Sequence, residues 1–172
     1  MATGLLRGFV ESTGRGGVDV KYPTRSAGLT LIELLITVAI LTVLAAVALP
    51  MYTQQQMKAR RVEAKSAAMK LALAEEQYRS RRGNYRSVAN NSLSDIASLG
   101  LDANEWDPSS ASSVARYYDY SVNVTNGGTR FQVSLTPKTA GPQAGDNACT
   151  GFFIDQLGQK TASGTRGDAC WR

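Results

Sequence analysis

Residues 29–49 read LTLIELLITVAILTVLAAVAL, and this run decides what kind of protein the chain is. Its twenty-one residues carry one charge, Glu33, and three further polar side chains, Thr30, Thr37 and Thr42. As an α-helix at about 1.5 Å per residue it covers roughly 30 Å, the hydrocarbon thickness of a bilayer. A secretory signal peptide would have a shorter apolar core ending in a small-residue cleavage site. Here the run gives way to Pro50, Met51 and Tyr52 and then to a helical pattern, so it is read as a membrane-spanning helix. The segment before it carries Arg7, Arg15, Lys21 and Arg25 against Glu11 and Asp19, and no cation follows Pro50 until Lys58, Arg60 and Arg61. That asymmetry predicts a cytoplasmic N-terminus and a remainder on the far side.

Composition agrees with a span averaged into a polar remainder: 43% of the 172 residues are hydrophobic, yet mean hydropathy is near zero. The net charge of +5 is shared between residues 1–28 and a longer, only mildly basic remainder. The sequence pI of about 9.4 is therefore weak support for nucleic-acid binding by itself. Histidine is absent, which excludes Ser/His/Asp and Cys/His catalysis and removes the commonest metal ligand. The only cysteines, Cys149 and Cys170, are too far apart for a CxxC redox motif. They read as a structural disulfide of an oxidising compartment, with two free thiols as the alternative.

Beyond Pro50 the stretch QQQMKARRVEAKSAAMKLALAEEQYRSRR is rich in good helix formers. Ala59, Val62, Ser66, Met69 and Leu73 recur at spacings of three and four, predicting an amphipathic continuation with one apolar stripe. Gly83-Asn84 is the expected stop, with Arg79, Arg81 and Arg82 favourably placed against the helix dipole. One helix of about fifty residues results. Residues 85–113 are rich in Ser, Asn and Asp, with Leu93, Ile96, Leu99 and Leu101 as apolar anchors, and read as a loop holding one short helix. Tyr118, Tyr120, Val122 and Val124 then alternate with polar residues, as do Phe131, Val133 and Leu135, across the turn-forming Asn126-Gly127-Gly128. These two strands form a hairpin. A third strand over 151–156 makes an antiparallel sheet of at least three strands, for which the amphipathic half of the helix is the natural cover.

The junction Ala27-Gly28 followed by the apolar run, with Glu33 five residues after the glycine and Ala48-Leu49-Pro50 and Tyr52 at its end, resembles the class III signal of type IV prepilins and pseudopilins. The ending AGDNACTGFFIDQLGQKTASGTRGDACWR is similar to that of pilins and PilE-like minor pilins. The resemblance implies an α+β pilin fold: a long N-terminal helix, its apolar half spanning and its amphipathic half packed on an antiparallel sheet, and a loop closed by a Cys149–Cys170 disulfide. It implies three segments: a leader over 1–28, a transmembrane and filament-core helix over 29–50, and a globular domain over 51–172. It implies cleavage between Gly28 and Leu29 by prepilin peptidase, N-methylation of Leu29, and assembly through Glu33. The partners implied are other pilin subunits, the peptidase, the assembly platform and the inner membrane, and no cofactor or metal. The protein would span that membrane once before assembly and lie in the extracellular pilus afterwards, with adhesion, twitching motility and DNA uptake as family roles. Three features depart from the family pattern. Leu29 replaces the commoner phenylalanine, Thr42 stands where many major pilins have a helix-loosening glycine, and 28 residues is long for a leader, an initiation site inside it being the alternative.

The physical case for Glu33 stands apart from any family. A lone carboxylate on a hydrocarbon-facing helix costs several kcal/mol unless it is neutralised or paired. Cleavage after Gly28 exposes an amine on Leu29, and a staggered neighbouring subunit brings that cation to Glu33, fixing register more than adding stability. A minor pilin is the favoured reading; a type II secretion pseudopilin and a DNA-binding competence pilin are the alternatives. For the last, Arg79, Arg81, Arg82 and Arg86 form a cluster able to contact phosphates, against the plainer reading of a solvated helix end. The acids Asp95, Asp102, Glu105 and Asp107 follow no catalytic or calcium-binding spacing, so an anchored enzyme is the weakest reading.

Overall fold

Helix α1 runs Leu31–Arg82 in the computed structural model, which describes residues 30–172. The junction Gly28–Leu29, with its cleavage and methylation, lies outside the described residues. Pro50 sits within α1; it has no N–H to offer the carbonyl of Ala46, one turn earlier. The helix stops where the sequence predicts: Gly83 takes φ +86° and donates its N–H to the Arg79 carbonyl at 2.7 Å, a left-handed cap that a side chain would strain. Two compact units divide the chain at Leu41/Thr42, and the globular head belongs wholly to the second.

The side of α1 that meets the head differs from the sequence expectation. Val62, Met69 and Leu73 are exposed, and the buried residues are Ala64, Ala67, Ala68, Leu71, Ala74 and Glu75. At 100° per residue these sets lie on opposite sides of the helix. The reason is size. The facing core is built from Tyr118, Tyr120, Phe152 and Trp106, and a face made mostly of methyl groups, four alanines beside Leu71 and Glu75, lets the helix backbone close on such bulky partners at interior packing density.

The sheet is a four-stranded antiparallel meander in the order β1 (Tyr118–Thr125), β2 (Arg130–Pro137), β3 (Gly151–Asp155), β4 (Lys160–Ser163). β1 and β2 pair from Tyr118↔Pro137 to Thr125↔Arg130. The alternation is as read: Tyr118, Tyr120 and Val122 are buried, as are Phe131, Val133 and Leu135. Asn126, Gly127 and Gly128 all take positive φ in the connecting turn. β4 extends the sheet beyond the three strands expected. The edge of β1 is covered by 85–91: Val88 and Val122 exchange both backbone hydrogen bonds at 3.0 Å, and the Asn91 side-chain oxygen accepts from Tyr120 N–H at 3.1 Å.

The 85–113 segment holds one short helix, α2 (Leu93–Ser98), capped by the Ser92 hydroxyl, and a 3-10 turn at Ala103–Glu105. Ile96 and Leu99 are buried, whereas Leu93 and Leu101 are only partly so. The main anchor is Trp106, buried and set edge-on to Tyr120 with ring centroids 4.9 Å apart.

Candidate functional site

Three regions carry the chemistry that the sequence singled out. The first is the start of α1. Thr30 precedes the helix, its hydroxyl accepts from Glu33 N–H at 3.2 Å, and its carbonyl accepts from Leu34 N–H at 3.1 Å. Thr30 and Glu33 thus have the spacing of a capping box. A carboxylate here also meets the positive end of the helix dipole. Glu33 therefore has a local role, separate from the intersubunit one expected from sequence, and the residue is exposed. From Leu31 to Met51 every residue is exposed, so none of the described residues covers this apolar stretch of α1.

The second region is the C-terminal loop. Cys149, just before β3, and Cys170, in the last 3-10 turn, are disulfide-bonded with Cα atoms 5.9 Å apart. The bond closes the β3–β4 hairpin into a loop with a sequence separation of 21. A buried ion pair fastens the loop preceding it to α1. Arg61 donates from Nε to Asp146 Oδ2 at 2.6 Å and from Nη2 to Oδ1 at 2.5 Å, and Asp146 is 3% exposed. Asp146 also accepts from the Gln143 amide at 2.7 Å and from Cys149 N–H at 3.2 Å. One carboxylate thus ties helix, loop and disulfide together. Its bidentate geometry with further donors on the same oxygens is what a buried charge needs to be tolerated.

The third region is the far end of α1, where the arginine cluster divides. Arg79 donates to the Tyr85 hydroxyl at 2.8 Å and lies over its ring, and Tyr85 in turn donates to Glu76 at 2.7 Å. Arg86 pairs with Asp95 at 3.1 Å. The Ser92 hydroxyl, the Ala89 N–H and then Arg86 hold the Asp95 carboxyl below its ordinary range. Arg79 and Arg86 are thus committed to the fold; Arg81 and Arg82 stand exposed. A further cation joins them. The β1–β2 turn abuts the helix end, where a Cβ on Gly128 would lie 3.1 Å from the Asn84 Cβ and Tyr85 donates to the Gly128 carbonyl at 3.0 Å. Exposed Arg130, two residues after Gly128, is carried to the same end as Arg82, two residues before Asn84. Sequence reading missed Arg130 because it is forty-eight positions away from Arg82.

Beneath this end lies Glu75, fully buried, its Oε2 accepting from Arg86 N–H at 2.9 Å and its Oε1 unpartnered. Burial pushes its carboxyl up to about 7, against the pull of the Arg86 N–H and charge. The four loop acids have structural duties: Asp95 pairs with Arg86, Asp102 caps the 3-10 turn through Asn104 N–H, Glu105 pairs with Lys70, and Asp107 accepts from Ser109.

A family model described as type IV minor pilin ComP, DNA uptake sequence receptor, matches residues 50–153, most of the head but ending within β3. The chain belongs to that family. A second model, the prokaryotic N-terminal methylation motif, matches residues 23–49 and so brackets the Gly28 junction and the apolar run. The chain is also similar to the type IV major pilin protein PilA of Myxococcus xanthus strain DK1622, 37% identical over 70 residues. That match takes in 41% of this chain and 32% of the relative, so the chain spans about a third of the length of the curated relative it matches. The minor-pilin family, the methylation motif and the exposed apolar helix together fit a membrane-anchored structural pilin.

Proposed function

We propose that this pilin is cut after Gly28 by prepilin peptidase, methylated on Leu29, and carried from a single crossing of the inner membrane into an extracellular type IV pilus, where it holds DNA at the far end of its head. It acts by assembly and binding, without catalysis. In the membrane and in the filament the exposed face of α1 stays covered, first by lipid and then by neighbouring helices, so the exchange costs little. Glu33, held at the capped first turn, meets the Leu29 amine of the next subunit and sets the stagger. Val62 and Leu73, exposed on the side of α1 opposite its buried alanines, continue that contact surface.

The observation that carries the DNA reading is the convergence of Arg81, Arg82 and Arg130 at one end of a head whose residues 50–153 match a family of DNA uptake receptors. Three cations with no ion pair among the described residues, flanked by Asn84 and Asn126 as hydrogen-bond donors, suit a phosphate backbone. The test is anisotropy of a labelled duplex titrated with the full chain in nonionic micelles across a salt series. Each phosphate contact contributes roughly 0.9 to the log–log salt slope. Arg81→Gln/Arg82→Gln/Arg130→Gln should lower it by up to about 2.7, while Arg79→Gln should mainly reduce stability. An unchanged slope in the triple variant would refute the assignment.

A further inference from the structure

Fifteen basic and twelve acidic residues lie beyond Gly28, and the fold gathers them unevenly. Arg60 lies over the Tyr117 ring at 4.4 Å, which brings it beside Arg116, and Lys138 donates its N–H to the Tyr117 carbonyl at 3.0 Å. On a neighbouring side of α1 a cleft of about 340 Å³ is lined by Gln54, Met57, Lys58, Arg61, Asn147 and Arg166, among others. Six cations therefore share one level of the head, opposed there by Asp146 and Glu63. The rest of the chain beyond Gly28 is left with nine basic and ten acidic residues, so the whole positive excess sits at this end. Arg61 is neutralised by Asp146; Lys58 and Arg166 are exposed and in none of the ion pairs among the described residues.

This is the membrane side of the head. Lys58 is nine residues beyond Leu49, the last residue of the apolar run, about 13 Å along the helix axis. Helical side chains lean toward the N-terminus by about a turn, here back toward the bilayer. That lean, shown by Lys58 and Gln54 lining one cleft, brings the ammonium to the polar layer, roughly 5–8 Å deep on each face of a membrane. Arg81 is twenty-three residues further on, roughly 35 Å from Lys58, so this cleft is separate from the DNA end.

We propose that the membrane-proximal end of the head docks on anionic phospholipid while the subunit awaits assembly, with Lys58 and Arg166 holding a headgroup phosphate at the mouth of the cleft and Arg60, Arg116 and Lys138 resting on the same charged surface. The docked lipid holds the head upright against the membrane before extraction, and the contact is released when α1 leaves the bilayer.

The full chain is placed in nanodiscs of equal parts phosphatidylglycerol and phosphatidylcholine, and the lipids retained on it are counted by native mass spectrometry. The parent should keep phosphatidylglycerol preferentially. Lys58→Gln/Arg166→Gln should cut that preference about 30-fold, from the ~1 kcal/mol each basic residue contributes near an anionic surface. Either single variant should lose about 5-fold, which keeps the test decisive should the double variant misfold, and Arg81→Gln/Arg82→Gln should leave the preference intact. Equal preference in parent and double variant would overturn the proposal. So would loss of the preference in millimolar inorganic phosphate, which would make the cleft a free-phosphate site, or its displacement by duplex DNA, which would make it a nucleic-acid surface.

Discussion

Replacing Glu75 by glutamine tests whether the end of α1 carries a buried acid that titrates near neutrality. The carboxyl is fully enclosed, with one oxygen on the Arg86 N–H and the other without a partner, and burial raises it from 4.5 to about 7. In the unfolded chain it ionises near 4.5; in the folded head it keeps its proton until about pH 7. The stability that Glu75 contributes is therefore full below pH 4.5, falls as pH rises from 4.5 to 7, and is flat above. At about 1.4 kcal/mol per pH unit the gap sets a ceiling of roughly 3 kcal/mol, and partial relaxation of the site around the charge brings the expected loss to about 2 kcal/mol. Asp95 and Asp107, both held low by hydrogen bonds, are ionised in both states above pH 5 and add no slope. Glu75→Gln keeps an acceptor for the Arg86 N–H but cannot ionise. Urea unfolding of the full chain in nonionic detergent, disulfide intact and followed by near-ultraviolet circular dichroism at pH 5, 6, 7 and 8, should show the parent losing about 2 kcal/mol and the variant nearly flat. A variant that keeps the parent's slope would refute the reasoning, because the titrating group would lie elsewhere.

Two further outcomes are expected. Asp146→Asn leaves Arg61, whose side chain is 14% exposed, with a nearly buried charge and no counter-ion, and should cost about 3 kcal/mol; thermal unfolding with the disulfide intact measures it, and a change below 1 kcal/mol would mean the pair is solvated. Glu33→Ala should insert into the membrane normally yet be depleted in sheared filaments, as read by immunoblotting both fractions; normal filament content would remove the register argument.

Much of this architecture is legible in the chain because it rests on local signals. The apolar run, the Gly83 stop, the alternation on both sides of Asn126-Gly127-Gly128 and the cysteine pair each announce themselves within a few residues. What escaped needed information from far along the chain. Hydrophobicity favours Val62, Met69 and Leu73 as the packing face, but the aromatic residues opposite, chosen some fifty positions later, are met mostly by alanines, with Leu71 and Glu75 among them. β4 has the sequence Lys-Thr-Ala-Ser, an edge strand with no apolar alternation to mark it. Asp146 lies in a glycine- and proline-rich stretch that reads as solvated loop, and its burial depends on Arg61 arriving from the helix. Likewise the arginine cluster could not be divided without Tyr85, Glu76 and Asp95 in place, and Trp106 is hidden in a polar segment whose leucines draw attention first.

Both borders of the sheet are partly covered. Residues 85–91 occupy the outward groups of Tyr120 and Val122, and at the opposite border Asp168 accepts from Ala162 N–H at 2.8 Å while the Trp171 indole donates to the Thr161 carbonyl at 2.8 Å. Subunits crowded in a membrane and, in the proposed pilus, stacked side by side would meet at concentrations where an open strand recruits its neighbours into a continuous ribbon. With those groups occupied, strand-to-strand growth has a poorer template, and in the proposed pilus the exposed apolar half of α1 is left as the adhesive surface. In the proposed pilus, growth would thereby favour a single kind of joint, and a head could vary its outer loops without acquiring a competing way to polymerise.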